Sequence, residues 1–251
     1  MKTTLRLILA SLCLAALLFV SCANGAGEQT TEAPVEETTP PATEAVDQTP
    51  QKYVAITFDD GPHVSRTRLI VDKLKEYGAT ATFFVVGNRL NNVTGEALQY
   101  AVENGCEISI HGYTHEYYYD TCSDAQYQKE LDMTASAIRK YLGADYAIPL
   151  MRPVGGRISE ARRAACPYRI VLWDVDSDDW RYKAVTDEAS TAANVNQIVE
   201  NILSQVEEGS IVLMHEIYQN SYDAFCIVLD RLYEMGYTCV TVSELYALSG
   251  K

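Results

Sequence analysis

Basic residues are scarce in this chain. It carries 20 Lys and Arg against 34 Asp and Glu in 251 residues, a formal net charge of −14. Phosphate backbones are held by clustered Lys and Arg, so this balance argues against nucleic acid as a partner. Cysteine offers no metal cage: seven are present, and no two stand at C-x-x-C spacing. No G-x-G-x-x-G or Walker loop follows the first strand-like run, which removes the usual dinucleotide and nucleotide-phosphate sites. The apolar stretch at residues 7–20 is short for a membrane span. Histidine occurs only four times, so a pair at metal-ligand spacing stands out from composition.

What is present at the N-terminus reads as targeting rather than fold. Lys2 and Arg6 precede the apolar stretch, the layout of a secretory signal. It ends in Phe19-Val20-Ser21-Cys22. A small residue followed by Cys resembles a bacterial lipobox, which implies cleavage before Cys22 and lipid on its thiol. Ordinary signal cleavage between residues 23 and 26 is the alternative. Residues 1–21 are therefore expected to be a lipoprotein-type signal peptide. Residues 22–52 hold four of the eight prolines, Pro34, Pro40, Pro41 and Pro50, and are rich in Thr, Glu and Ala. With no aromatic among residues 22–52, this stretch cannot bury enough apolar surface to offset its ordering entropy. It reads as a disordered, extended linker.

Residues 53–251 are long enough for one domain with a substantial core. This part has 28 acids and 17 bases, net −11. Its cysteines, Cys106, Cys122, Cys166, Cys226 and Cys239, are odd in number. They read as core residues or as one disulfide whose pairing the spacing does not specify.

Strand-like and helix-like segments alternate. Apolar runs at 54–58, 81–86, 107–110, 148–151, 170–173, 211–214 and near 239–242 read as strands. Helical spacing recurs around Leu69 to Tyr77, Leu98 to Val102 and Val195 to Val206, and over residues 124–141 behind a Ser123 N-cap and over 224–234. Gly78, Gly105, Gly143 and Gly209 stand where the helices should stop. Near-continuous apolar strands separated by helices imply a parallel sheet buried on both faces. Polar signatures follow the strands: Asp59-Asp60, His111, Arg152, Asp176 to Asp179, and His215. A barrel gathers strand ends at one mouth, whereas a doubly wound sheet gathers fewer. The expected fold is α/β, a distorted barrel short of eight strands.

The chemistry of these residues points one way. Asp59 and Asp60 are adjacent carboxylates, and His111 and His115 are imidazoles four residues apart. A carboxylate plus two imidazoles, with a position left open, holds a zinc-type Lewis acid and leaves room for water. Each motif alone has a plainer reading: a strand-ending turn for Asp59 to Pro62, surface histidines for His111 and His115, a rim ion pair for Arg152, a solvated acidic loop for 174–179. His63 reads as a loop residue. Tyr117, Tyr118 and Tyr119 read as a packed loop, with stacking on sugar rings as the rival.

Taken in order, TFDDGP (57–62), HGYTH (111–115), RPVGG (152–156), DSDDW (176–180) and IVLMH (211–215) resemble the polysaccharide deacetylases, the NodB-homology or carbohydrate esterase 4 family. The resemblance covers about residues 53–245. It implies an incomplete (β/α)7 barrel and metal-dependent removal of acetyl groups from sugars. It implies that Asp60, His111 and His115 bind a divalent ion, zinc first, with cobalt, nickel or manganese compatible. Asp59 corresponds to the general base and Arg152 to the arginine that orients it. His215 corresponds to the general acid, with Asp179 as its carboxylate partner. The resemblance further implies that the Gly155 backbone N–H serves the oxyanion, that Leu213 lines the pocket for the acetyl methyl, and that Trp180 walls the site. Two departures matter. Gly112 replaces a common Ser or Thr, removing a loop-stabilising hydrogen bond, and Gly155 replaces a common aromatic, removing a wall.

The expected function is N-deacetylation of extracellular glycan, peptidoglycan GlcNAc or MurNAc first. The expected setting is a monomer, tethered to the bacterial membrane through lipid on Cys22 and facing the cell wall, or secreted. Chitooligosaccharide deacetylation and acetylxylan esterase activity are the same-site alternatives. A catalytically inactive glycan-binding lipoprotein is the alternative of another class.

Overall fold

The structure is a computed structural model that describes residues 51–182 and 188–250. The expected signal peptide, Cys22 and nearly all of the linker lie outside the described residues.

The elements alternate as the sequence suggests. Strand β1 (Lys52–Gly61) is followed by α1 (Arg66–Lys75), β2 (Thr82–Val85), α2 (Asn92–Glu103), β3 (Glu107–Ile110) and α3 (Asp124–Leu142). Then come β4 (Leu150–Met151), α4 (Glu160–Ala165), β5 (Arg169–Ile170), β6 (Val175–Asp176), α5 (Glu188–Leu203), β7 (Ile211–His215), α6 (Gln219–Glu234), β8 (Tyr237–Cys239) and α7 (Val242–Ser249). All sheet pairings are parallel. Seven strands run in the order β5-β4-β3-β2-β1-β7-β6, and β8 pairs with the first three residues of β1. This is a curled, incomplete barrel with helices packed around it, as expected.

Strand β1 is the axis of the sheet. Its residues from Val54 onward are buried, as an apolar run flanked by strands on both sides requires. Phe58 stacks on Phe83 and meets Phe225 edge-on, at 5.3 and 5.1 Å between ring centroids, so α6 is pinned against the sheet beneath the site.

Helix ends follow local chemistry. Ser123 caps α3 by accepting from Gln126 N. Asn91 and Thr94 form a capping box on α2, and Thr241 and Glu244 form one on α7. His63 is a loop residue whose Nδ1 accepts from the backbone N–H of Ser65 and Arg66, at 3.3 and 3.2 Å, at the start of α1.

Three expectations need correcting. The run at 170–173 forms no continuous strand: β5 ends at Ile170, and the carbonyls of Val171 and Leu172 instead accept from the Arg152 guanidinium at 3.4 and 3.1 Å. The last strand ends at Cys239, because Thr241 caps a helix that already contains Val242. Asp59 and Asp60 lie inside β1 rather than beyond it. The five cysteines are free thiols, with Cys106 and Cys239 buried in the core.

Candidate active site

In a regular strand, adjacent side chains point to opposite faces. Asp59 and Asp60 escape that rule through a bulge. Asp59 pairs with Phe84 and Gly61 with Val85, so Asp60 is the extra residue in the ladder. Its φ is +68°, the left-handed region that non-glycine residues seldom adopt. Among the described residues only two other non-glycines have positive φ: His115 at +63° and Asp178 at +55°. All three belong to the motifs singled out above, and strain of this kind persists where the surroundings over-determine a site.

Asp60, His111 and His115 converge. They are the one group of three or more His, Cys, Asp or Glu among the described residues whose ligand atoms lie within 4.8 Å of one another. Nε2 of His115 is 3.0 Å and Nε2 of His111 is 3.6 Å from Asp60 Oδ1. Yet that buried oxygen has no hydrogen-bond partner among the described residues. An orphaned buried carboxylate oxygen is costly and fits a site built to take a cation.

The histidine tautomer agrees. Nδ1 of His111 is 2.9 Å from the Arg152 carbonyl, which can only accept, so Nδ1 carries the proton and Nε2 keeps its lone pair. Burial pushes the His111 pKa down against the pull of Asp59 and Asp60, which favours the neutral, ligating form. For Asp60, burial alone would raise the pKa. His115, then His111 and His215, outweigh it and hold the carboxyl below the usual range.

The HGYTH segment is held from α3. The buried Glu130 carboxylate accepts from the backbone N–H groups of Tyr113 and Thr114 at 2.7 and 2.9 Å, and from Thr114 Oγ1 at 3.0 Å. Gly112 has φ +98°, and a Cβ there would sit 2.6 Å from Tyr119 Oη. The buried Tyr119 therefore occupies the space that a side chain at 112 would need.

Arg152 is fully buried. Its Nη1 donates to Asp59 Oδ1 and to Thr57 Oγ1, both at 2.8 Å, and its guanidinium lies 4.2 Å from the Phe84 ring centroid. One residue thus orients Asp59 with its side chain and His111 with its carbonyl. Across the cleft, Asp179 grips His215 twice: Oδ1 is 2.6 Å from ring Nδ1, and Oδ2 accepts the backbone N–H at 2.7 Å. Burial opposes charge on His215, but Asp179 outweighs it, and the imidazole is pushed up to about 9.

Asp59, Asp60, His111, His115 and His215 line one cleft of about 390 Å³, together with Gly155, Trp180 and Leu213, and the buried Arg152 and Asp179 back it through Asp59 and His215. All ten site residues expected in the fold are therefore brought together. The sequence reading missed Trp173, Asp176, Tyr218 and Val154 in the lining. Asp176 opens the DSDDW motif, and burial raises its pKa. The tyrosine run splits: Tyr119 is buried, whereas Tyr118 is 44% exposed and borders the cleft beside Gly155. The wall expected to be lost at Gly155 is thus supplied by another residue.

The polysaccharide deacetylase family profile matches residues 46–168. A peptidoglycan-N-acetylglucosamine deacetylase of Bacillus cereus is 30% identical over 203 residues, covering 78% of this chain and 88% of the relative. The chain belongs to the polysaccharide deacetylase family. Another member, the peptidoglycan-N-acetylmuramic acid deacetylase PdaC of Bacillus subtilis, is 35% identical over 205 residues, 82% of this chain. The chain spans only 41% of that relative's length. The solved PdaC structure superposes with a TM-score of 0.71 at 33% identity, covering 80% of this chain and 93% of that one. A family 4 acetyl xylan esterase of Clostridium thermocellum, solved with a cobalt ion, superposes with a TM-score of 0.70 at 29% identity, covering 79% and 92%.

Proposed function

We propose that this chain is a metal-dependent polysaccharide N-deacetylase acting on glycan outside the cytoplasm, peptidoglycan first. The observation that carries this reading is the pair of proton-transfer groups flanking the Asp60, His111 and His115 trio. Asp59 is fixed by Arg152 on one side, and His215 is held by Asp179 on the other.

The donor set of one carboxylate and two imidazoles suits zinc and tolerates cobalt, nickel or manganese. When bound, such an ion polarises the acetyl carbonyl and makes water a competent nucleophile at neutral pH. Asp59 takes the proton of the attacking water, its carboxylate held in position by the Arg152 guanidinium. Arg152 is buried and also donates to Thr57 and to the Val171 and Leu172 carbonyls, which fixes the guanidinium that holds Asp59. The Gly155 backbone N–H donates to the developing oxyanion, a role for which a residue without a side chain at the cleft surface is suited. Leu213 is buried at the cleft floor and receives the acetyl methyl. His215 protonates the departing nitrogen from Nε2, because Asp179 engages Nδ1. Trp180, 43% exposed at the cleft, walls the sugar side.

Peptidoglycan is favoured by the relatives named above and by the expected setting. Lipid on Cys22 and a spacer of about 30 residues, reaching about 100 Å when fully extended at roughly 3.3–3.6 Å per residue, would hold the domain against the wall. The likeness to an acetyl xylan esterase favours ester hydrolysis as the second reading. Acetate release from purified peptidoglycan, chitooligosaccharides and acetylxylan separates them. Highest kcat/KM on peptidoglycan is expected; release from acetylxylan alone would replace the amidase reading with the esterase one. Glycan binding without acetate release from any acetylated sugar would favour a binding protein.

A further inference from the structure

The most solvent-accessible aromatics at the cleft are Trp180 and Tyr118, and nothing in the proposed chemistry uses Tyr118. Its position is nonetheless tightly built. Its own carbonyl accepts from Thr121 and Cys122 N–H at 3.2 and 3.1 Å. The next residue, Tyr119, is zipped to the segment after the Gly155 turn: Tyr119 N donates to the Arg157 carbonyl at 3.0 Å, and Ser159 N donates to the Tyr119 carbonyl at 3.3 Å. The Arg157 guanidinium lies 4.2 Å from the Tyr118 ring centroid and is itself fixed by Asp120, with Nε and Nη2 both 2.9 Å from Oδ2. Gly155 has φ +59°, and a Cβ built there would be 3.1 Å from the ring. The turn's bare backbone therefore leaves room for the ring to reach the cleft.

We propose that Tyr118 is a specificity-determining residue that stacks on a pyranose ring of an N-acetylhexosamine chain. A sugar ring presents an apolar C–H face, and an aromatic plate held with few rotamers binds such a face at little entropic cost. Arg157 already covers part of the ring, and the exposed remainder borders the cleft. The proposal names a substrate contact for the site described above and rests on that functional reading.

The test is a binding titration of the full-length, metal-loaded chain with tetra-N-acetylchitotetraose, in an Asp59→Asn background so that sugar is not consumed. Adding Tyr118→Ala is expected to weaken Kd roughly 3–10-fold, and adding Tyr118→Phe to leave it within about two-fold. With Asp59 intact, Tyr118→Ala is expected to hold one divalent ion per chain and to keep the thermal midpoint of the parent, so a misfolded variant is recognised at once. An unchanged Kd for Tyr118→Ala, or no sugar binding by the parent, overturns the stacking role. Weakened binding alongside no acetate release by the Asp59-intact enzyme overturns the deacetylase reading and leaves the stacking role standing.

Discussion

The carboxylates of Asp59 and Asp60, consecutive residues in one strand, both lie 3.6 Å from Nε2 of His111. Only the bulge at Asp60 permits this, and it is what lets two identical side chains take different work. Asp60 faces the imidazoles with an orphaned oxygen. Asp59 is held by Arg152.

That division predicts different losses. Asp60→Asn should lose the bound ion and the activity together. Asp59→Asn should keep the ion and lose roughly 10²–10⁴-fold in kcat. Metal content per chain, measured beside acetate release for both variants, checks this; equal metal loss in both would mean the roles are not divided.

Glu130 touches none of the reacting groups, yet it fastens the loop between the two histidines. Glu130→Ala should weaken metal affinity by roughly 10–100-fold, the usual cost of removing a group that orients ligands. A competition titration against a chromogenic chelator reads this directly. Affinity unchanged from wild type would show that the loop holds its shape without the carboxylate.

His215 is pushed up to about 9 by Asp179, so the imidazole is protonated at neutral pH and can act as an acid. kcat/KM should fall as pH rises through about 9. Asp179→Asn removes the charge that holds the proton, so the alkaline limb should move to lower pH. A pH–rate profile that does not move would remove His215 from the role of acid.

Gly61 carries a stability prediction. A Cβ there would land inside the buried Glu216 carboxyl group, so Gly61→Ala should cost about 1–3 kcal/mol, and Glu216→Ala in the same chain should recover part of it. Glu216 is itself pushed up by burial, from 4.5 to about 7. Below about 4.5 both folded and unfolded chains bind its proton. Between 4.5 and about 7 only the folded chain does, so stability falls as pH rises across that window, by roughly 3 kcal/mol from this group. Urea midpoints for wild type and Glu216→Gln at both ends of the window measure it; the variant should show the smaller decline.

Much of this was legible from spacing. Continuous apolar runs marked β1, β2, β3 and β7, and Ser123 and Gly143 marked both ends of α3. The family motifs brought every expected cleft residue to one mouth. What stayed hidden depends on partners far away in the chain. The run at 170–173 reads as a strand because its residues are apolar; it stops at Ile170 because Arg152 captures the next two carbonyls. Helix α7 was hidden by Val242, although Thr241 and Glu244 spell a capping box. Glu216 and Glu130 look like ordinary acids in sequence, and only burial distinguishes them. Tyr118 could not be told from Tyr119 without the turn at Gly155.

The most direct measurement is the metal content of the full-length protein, followed through chelation and add-back with acetate release from peptidoglycan in the same samples. The account predicts one divalent ion per chain, activity lost on chelation and restored by zinc or cobalt, and neither ion nor activity in His111→Ala or His115→Ala. Full acetate release by the chelated enzyme, or an ion retained by both histidine variants, would contradict it.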